Sequence, residues 1–90
     1  MYNLVKSDLS GGASGVNSWR INKNKENNTY TNQHPIVGSA ILVGDPNTDN
    51  WWRTNVITEI ITENKGVKDD VIEVTFRTES GSIYTWSIND

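Results

Sequence analysis

A chain of 90 residues with no cysteine and one histidine, His34, excludes disulfides, thiolate metal sites, cysteine nucleophiles and histidine clusters. Its length allows one domain with a small core. The formal charge of −3 is uneven: Lys6, Arg20, Lys23 and Lys25 outnumber Asp8 and Glu26 in residues 1–33, whereas residues 34–90 hold four basic and nine acidic groups. Without a dense basic patch, no direct nucleic-acid contact is expected.

Residues 1–33 are rich in Asn, Ser and Gly, with Leu4, Val5 and Leu9 as apolar anchors in the first ten. No charged region followed by an apolar block marks a signal peptide, and no apolar run is long enough to span a membrane. A cytoplasmic protein without membrane partners is therefore expected. Gly11-Gly12-Ala13-Ser14-Gly15 lacks a phosphate-loop lysine and reads as flexible chain. A first strand signal falls near 18–22, where Trp19 suits either a core cap or a partner contact. Residues 22–34, N-K-N-K-E-N-N-T-Y-T-N-Q-H, have few groups able to offset ordering entropy and read as a long loop. His34 before Pro35 reads as a turn residue, with no paired nucleophile. Residues 1–33 are thus expected as a polar segment that partly covers a sheet or stays mobile, and residues 34–90 as the antiparallel core.

The apolar run 36–43, I-V-G-S-A-I-L-V, is short and rich in Ile and Val, which favours a strand over 37–43 with a bulge or close approach at Gly38. Residues 44–50 have turn composition. Asp45, Asn47 and Asp49 match the first, third and fifth positions of a calcium loop, but Asn50 and Val56 stand where glycine and a bidentate glutamate belong. An Asx-type turn is the better reading, and neither a metal nor a cofactor is expected. Residues 52–62 read as the next strand, apolar on both sides, hence central, bulged or covered. Adjacent Trp51 and Trp52 must point to opposite faces of an extended backbone, so one is expected inside and the other at the surface. An exposed tryptophan beside Arg53 is the best sign of a binding surface, since aromatics give contact area at low entropy cost and arginine recognises anions.

The clearest signal lies at the end. Ile72, Val74 and Phe76 alternate with Glu73, Thr75 and Arg77, and Tyr84, Trp86 and Ile88 alternate with Thr85 and Ser87. A three-residue loop, Glu79-Ser80-Gly81, sets Phe76 opposite Tyr84, Val74 opposite Trp86 and Ile72 opposite Ile88. A one-residue slip would bury the polar face instead. Gly81 then takes the left-handed position of the turn. Strands over 71–78 and 82–88 follow. The whole predicts an all-β fold: a small, strongly twisted antiparallel sheet curled into a barrel or roll of SH3-like size, with a C-terminal hairpin.

Across residues 36–88, I-V-G-S with a following glycine, W-W-R-T-N-V-I-T-E-I and V-T-F-R-T-E-S-G-S-I-Y-T-W resemble a pattern in small uncharacterised proteins of bacteriophages and prophages. The resemblance assigns no residue a role. It implies a phage or mobile-element setting inside a host cell, where short acidic proteins act by binding a host factor or defence component. With no catalytic constellation, a non-catalytic protein that binds or inhibits a host protein is the leading expectation. Its candidate surface is Trp19, Trp51, Trp52, Arg53 and Arg77, with Tyr30 from the covering segment. A small ligand, such as a nucleotide or anionic metabolite held by Trp19, Trp52, Arg53, Arg77 and Tyr84, is the alternative. A homodimer, or a structural place in a phage assembly, also stays open.

Overall fold

A computed structural model describes residues 1–8, 10–22, 30–31, 34–45 and 47–88. These residues form nine β-strands and no helix: β1 (Tyr2–Lys6), β2 (Gly12–Val16), β3 (Ser18–Asn22), β4 (Tyr30–Thr31), β5 (Ser39–Gly44), β6 (Trp51–Arg53), β7 (Ile57–Lys65), β8 (Val71–Thr78) and β9 (Ile83–Ile88). All pairings are antiparallel. A five-stranded sheet has the order β2-β1-β9-β8-β7, and a four-stranded sheet the order β4-β3-β5-β6.

The all-β class holds, but the barrel or roll does not: the sheets are open and lie face to face. Two local events keep them open. First, β1 pairs with β9, so the last strand is interior and unavailable to close a ring. Second, the stretch expected as one strand over 52–62 is cut at Thr54. The Thr54 amide donates to the Ile41 carbonyl at 2.9 Å. Its buried hydroxyl accepts from the Ile41 amide at 3.1 Å and donates to the Asn55 carbonyl at 2.8 Å. One threonine thus closes the β5–β6 ladder, and the chain crosses to the other sheet as β7.

Residues 1–33 supply strands to both sheets. The glycine-rich stretch expected as flexible forms β2, an edge strand with an irregular register against β1. The expected strand 18–22 is β3. Most of the polar loop expected over 22–34 lies at residues 23–29, 32 and 33, outside the described residues.

The C-terminal hairpin has the expected register at Val74↔Trp86 and Phe76↔Tyr84. Thr78 donates its amide to Ser82 at 3.0 Å, and Gly81, with φ 85°, donates to Thr78 at 2.9 Å. Ile72 departs from expectation. Regular pairing ends at Glu73↔Ser87, Ile72 stays partly exposed, and Ile88 pairs with Tyr2 on β1.

The core is where the two inner faces meet: Leu4, Val74, Phe76, Tyr84 and Trp86 from one sheet, Ile41 and Val43 from the other, and Ile57 at the crossing. Tyr2 stacks on Trp86 at 5.4 Å between ring centroids, and Phe76 on Tyr84 at 5.7 Å. The buried Trp86 Nε1 donates to Ser18 Oγ of β3 at 2.9 Å, which pins one sheet to the other without leaving either polar atom unpartnered.

Candidate functional site

The candidate site grows from the β5–β6 turn. Asp45 Oδ1 accepts from the Asn47 amide at 2.9 Å, the Asx turn expected from composition. The Thr48 amide and hydroxyl donate to the Asp45 carbonyl at 3.2 and 3.1 Å, and the Asp45 amide donates to Asn50 at 3.0 Å. Gly44 has φ 106°, and a Cβ there would run into the Asn50 carbonyl, so only glycine suits the corner. Among the described residues, no group of three or more His, Cys, Asp or Glu is placed to hold a metal.

That turn delivers β6, three residues at the end of the four-stranded sheet. Hydrogen bonds join Asp45 to Asn50 and Thr54 to Ile41 at the two ends of the ladder. Bonded pairs alternate in an antiparallel ladder, so Val43 and Trp52 form the bonded pair between them. The peptide groups of Trp52 therefore point toward β5. Those of Trp51 and Arg53 point the other way, where no described strand pairs.

The side chains alternate too. Trp52 lies opposite Val43 on the inner face, whereas Arg53 lies opposite Leu42, and Trp51 opposite Gly44, on the outer face. The expectation that one tryptophan is inside and one outside is corrected: Trp51 is 49% exposed and Trp52 46%. Trp52 faces inward but sits at the sheet's rim, where its ring lies 5.5 Å from that of Tyr84, tilted by 56°. Trp19 shares the outer face with Trp51 and Arg53. It is half-buried, and its Nε1 donates to the Gly44 carbonyl at 3.3 Å, bracing the corner where the turn begins.

Arg77 is elsewhere. It lies on the outer face of the five-stranded sheet, with Nη1 2.9 Å from Glu59 Oε1. Of the five residues expected at a site, Trp51, Trp52 and Arg53 form one strip, Trp19 supports it, and Arg77 belongs to another surface. Tyr30 is in β4, but its side chain lies outside the described residues. His34 presents its carbonyl to Arg20 Nη1 at 2.9 Å.

A cleft of about 300 Å³ sets Trp52 and Tyr84, which the small-ligand reading grouped, beside Lys6, Ser10, Gly11 and Gly12, which it did not, and without Trp19, Arg53 or Arg77. Gly12 is needed for packing, because a Cβ there would stand 2.8 Å from the Leu4 carbonyl oxygen. The glycine pair was the only sequence sign of this close approach. Lys6, the cation of the cleft lining, has its Nζ 4.0 Å from Asp8 Oδ2. The Ser10 side chain and then its amide hold the Asp8 carboxyl below the usual carboxylate range, with Lys6 a smaller cause.

No protein-family model matches the chain, and neither the curated proteins nor the solved structures contain a match.

Proposed function

We propose that this chain is a non-catalytic binding protein that accepts an extended segment of a partner protein along the open edge of β6. One observation carries the reading: the outward peptide groups of Trp51 and Arg53 lie between two half-exposed tryptophans on opposite faces of the same strand. Main-chain pairing supplies affinity in such strand addition, and the alternating side chains supply selection. Trp51 and Arg53 select on the outer face, and Trp52 on the inner. In the phage setting that the sequence resemblance implies, the partner is a host protein such as a defence component, and occupation of its extended segment inhibits it.

Selection of a displayed library of random peptides on the immobilised protein tests the site. The expected winners carry aromatic or acidic residues at alternate positions and slow amide exchange at Trp51 and Arg53. Winners that protect other amides, or no enrichment at all, overturn it.

A second reading rests on the cleft. Trp52 offers a half-exposed ring beside the buried Tyr84, Lys6 offers a cation, and the volume of about 300 Å³ suits a small planar anion. Thermal-shift measurement with nucleotides and aromatic carboxylates checks it: stabilisation lost in Lys6→Ala supports the reading, and no stabilisation by any of them removes it.

A further inference from the structure

We infer that the open β6 edge recognises a second copy of this chain, through antiparallel pairing of β6 with β6 about a two-fold axis at Trp52. The inference rests on the reading of β6 as an open edge and names one occupant for it.

The tripeptide Trp51-Trp52-Arg53 is complementary to itself in this register. Centred on Trp52, the pairing sets Trp51 opposite Arg53 of the other copy, and Arg53 opposite its Trp51. These are the residues whose N–H and C=O groups point outward. Each such pair exchanges two main-chain hydrogen bonds, so every outward group is used. On the outer face the same pairs bring a guanidinium beside an indole twice, an electrostatically favourable contact. On the inner face Trp52 meets Trp52 at a non-bonded pair, where opposed side chains approach most closely.

Other registers do worse. A one-residue slip would turn the outward groups of one strand toward groups of the other that already bond to β5. Centring on Arg53 would oppose like charges. Centring on Trp51 would place Arg53 beyond the start of the partner's strand, because β6 begins at Trp51. An isologous two-fold contact also closes on itself and does not propagate into fibres.

The contact is small. Each half-exposed tryptophan offers roughly 100 Å², so four of them with two arginines fall at the low end of transient interfaces. Association should therefore appear at a protein concentration of roughly 1 mM and disappear on hundredfold dilution.

Sedimentation equilibrium across that range, with amide exchange, tests the inference. The mass is expected to double at the top of the range, with slowing of exchange at the Trp51 and Arg53 amides. Arg53→Glu should keep the monomer at every concentration. Trp51→Pro removes one outward N–H without touching the β5 ladder and should do the same. Circular dichroism of each variant establishes that it is folded, and Arg53→Ala, which demands least of the backbone, should weaken the dimer at least tenfold. A wild-type monomer throughout, or a dimer that survives Arg53→Glu and Arg53→Ala, overturns the inference. Selected peptides that protect Trp51 and Arg53 on a protein that stays monomeric would defeat self-pairing alone. Failure of both experiments would defeat the open-edge reading as well.

Discussion

The two outer faces of the sandwich handle their side chains in opposite ways. On the five-stranded sheet, outward groups find one another. Thr75 and Thr85 share a hydroxyl hydrogen bond at 3.1 Å, Arg77 meets Glu59 at 2.9 Å, and Asn64 Nδ2 donates to Glu73 at 2.9 Å. On the four-stranded sheet, outward Ile21, Ala40 and Leu42 are buried, but Trp51 beside them is half exposed. The edges differ likewise. β7 is long but broken by three register irregularities and lined with Glu59, Glu63 and Lys65, devices that discourage further pairing. β6 is short, has a regular ladder and carries aromatics on both faces. One surface satisfies itself, and the other holds unspent contact area at an open edge. That imbalance is why the second surface, and not the first, is the one proposed for recognition.

The comparison depends on a common inner layer, and the largest expected effect comes from removing it. Phe76 is fully buried between the sheets. Phe76→Ala should cost about 3–5 kcal/mol, a large part of the stability of a domain this small. Urea denaturation reads the loss, and both surfaces should disappear together.

Next in size is an attack on the turn that presents β6. Gly44→Ala forces a side chain into the left-handed region and against the Asn50 carbonyl. A loss of about 1–3 kcal/mol is expected. Chemical shifts should move in β5 and β6 and remain in place on β8 and β9. Equal disturbance of both sheets would show that the aromatic edge is not an independently presented feature.

Trp51→Ala should separate binding from stability. Its ring lies half in solvent and is not part of the core cluster between the sheets. Unfolding free energy is expected to change by less than about 1 kcal/mol, while peptide capture and concentration-dependent association fall at least tenfold. A stability loss of core size with binding retained would move Trp51 into the structural class.

The hairpin was legible because its physics is local. Two period-two runs and a glycine at the loop leave one register that buries Val74, Phe76, Tyr84 and Trp86 together. β3 was legible for the same reason. β1 was not, because the adjacent Leu4 and Val5 break a clean alternation in Tyr2–Lys6, and the burial of Leu4 comes from pairing with β9 at the far end of the chain. That missed strand is also why a closed barrel looked reasonable. The cut at Thr54 was hidden because Thr, Asn and Val all tolerate extended backbone, and only the partners of the Thr54 hydroxyl distinguish a sheet crossing from a continuous strand. For the site, alternation correctly separated the directions of Trp51 and Trp52. It carried no information that β6 is at a rim, where neither direction is fully covered. Arg77 was grouped with them because side-chain chemistry alone does not report which sheet a residue faces.

Arg77 provides the smallest and most discriminating test. Its pair with Glu59 is short, but both side chains are about half exposed, at 48% and 53%. Solvent screens such a pair, and ordering two long side chains offsets much of the attraction. Arg77→Ala should therefore cost only about 0.2–1 kcal/mol, and the Glu59→Gln background should remove most of that difference. High salt should shrink it further, because the screening length falls to about 3 Å at 1 M ionic strength, close to the pair's own separation. Peptide capture and self-association should not change, since Arg77 lies on the surface that already satisfies itself. A drop in capture for Arg77→Ala, with stability intact, would place recognition on the five-stranded sheet and reverse the assignment of the two faces.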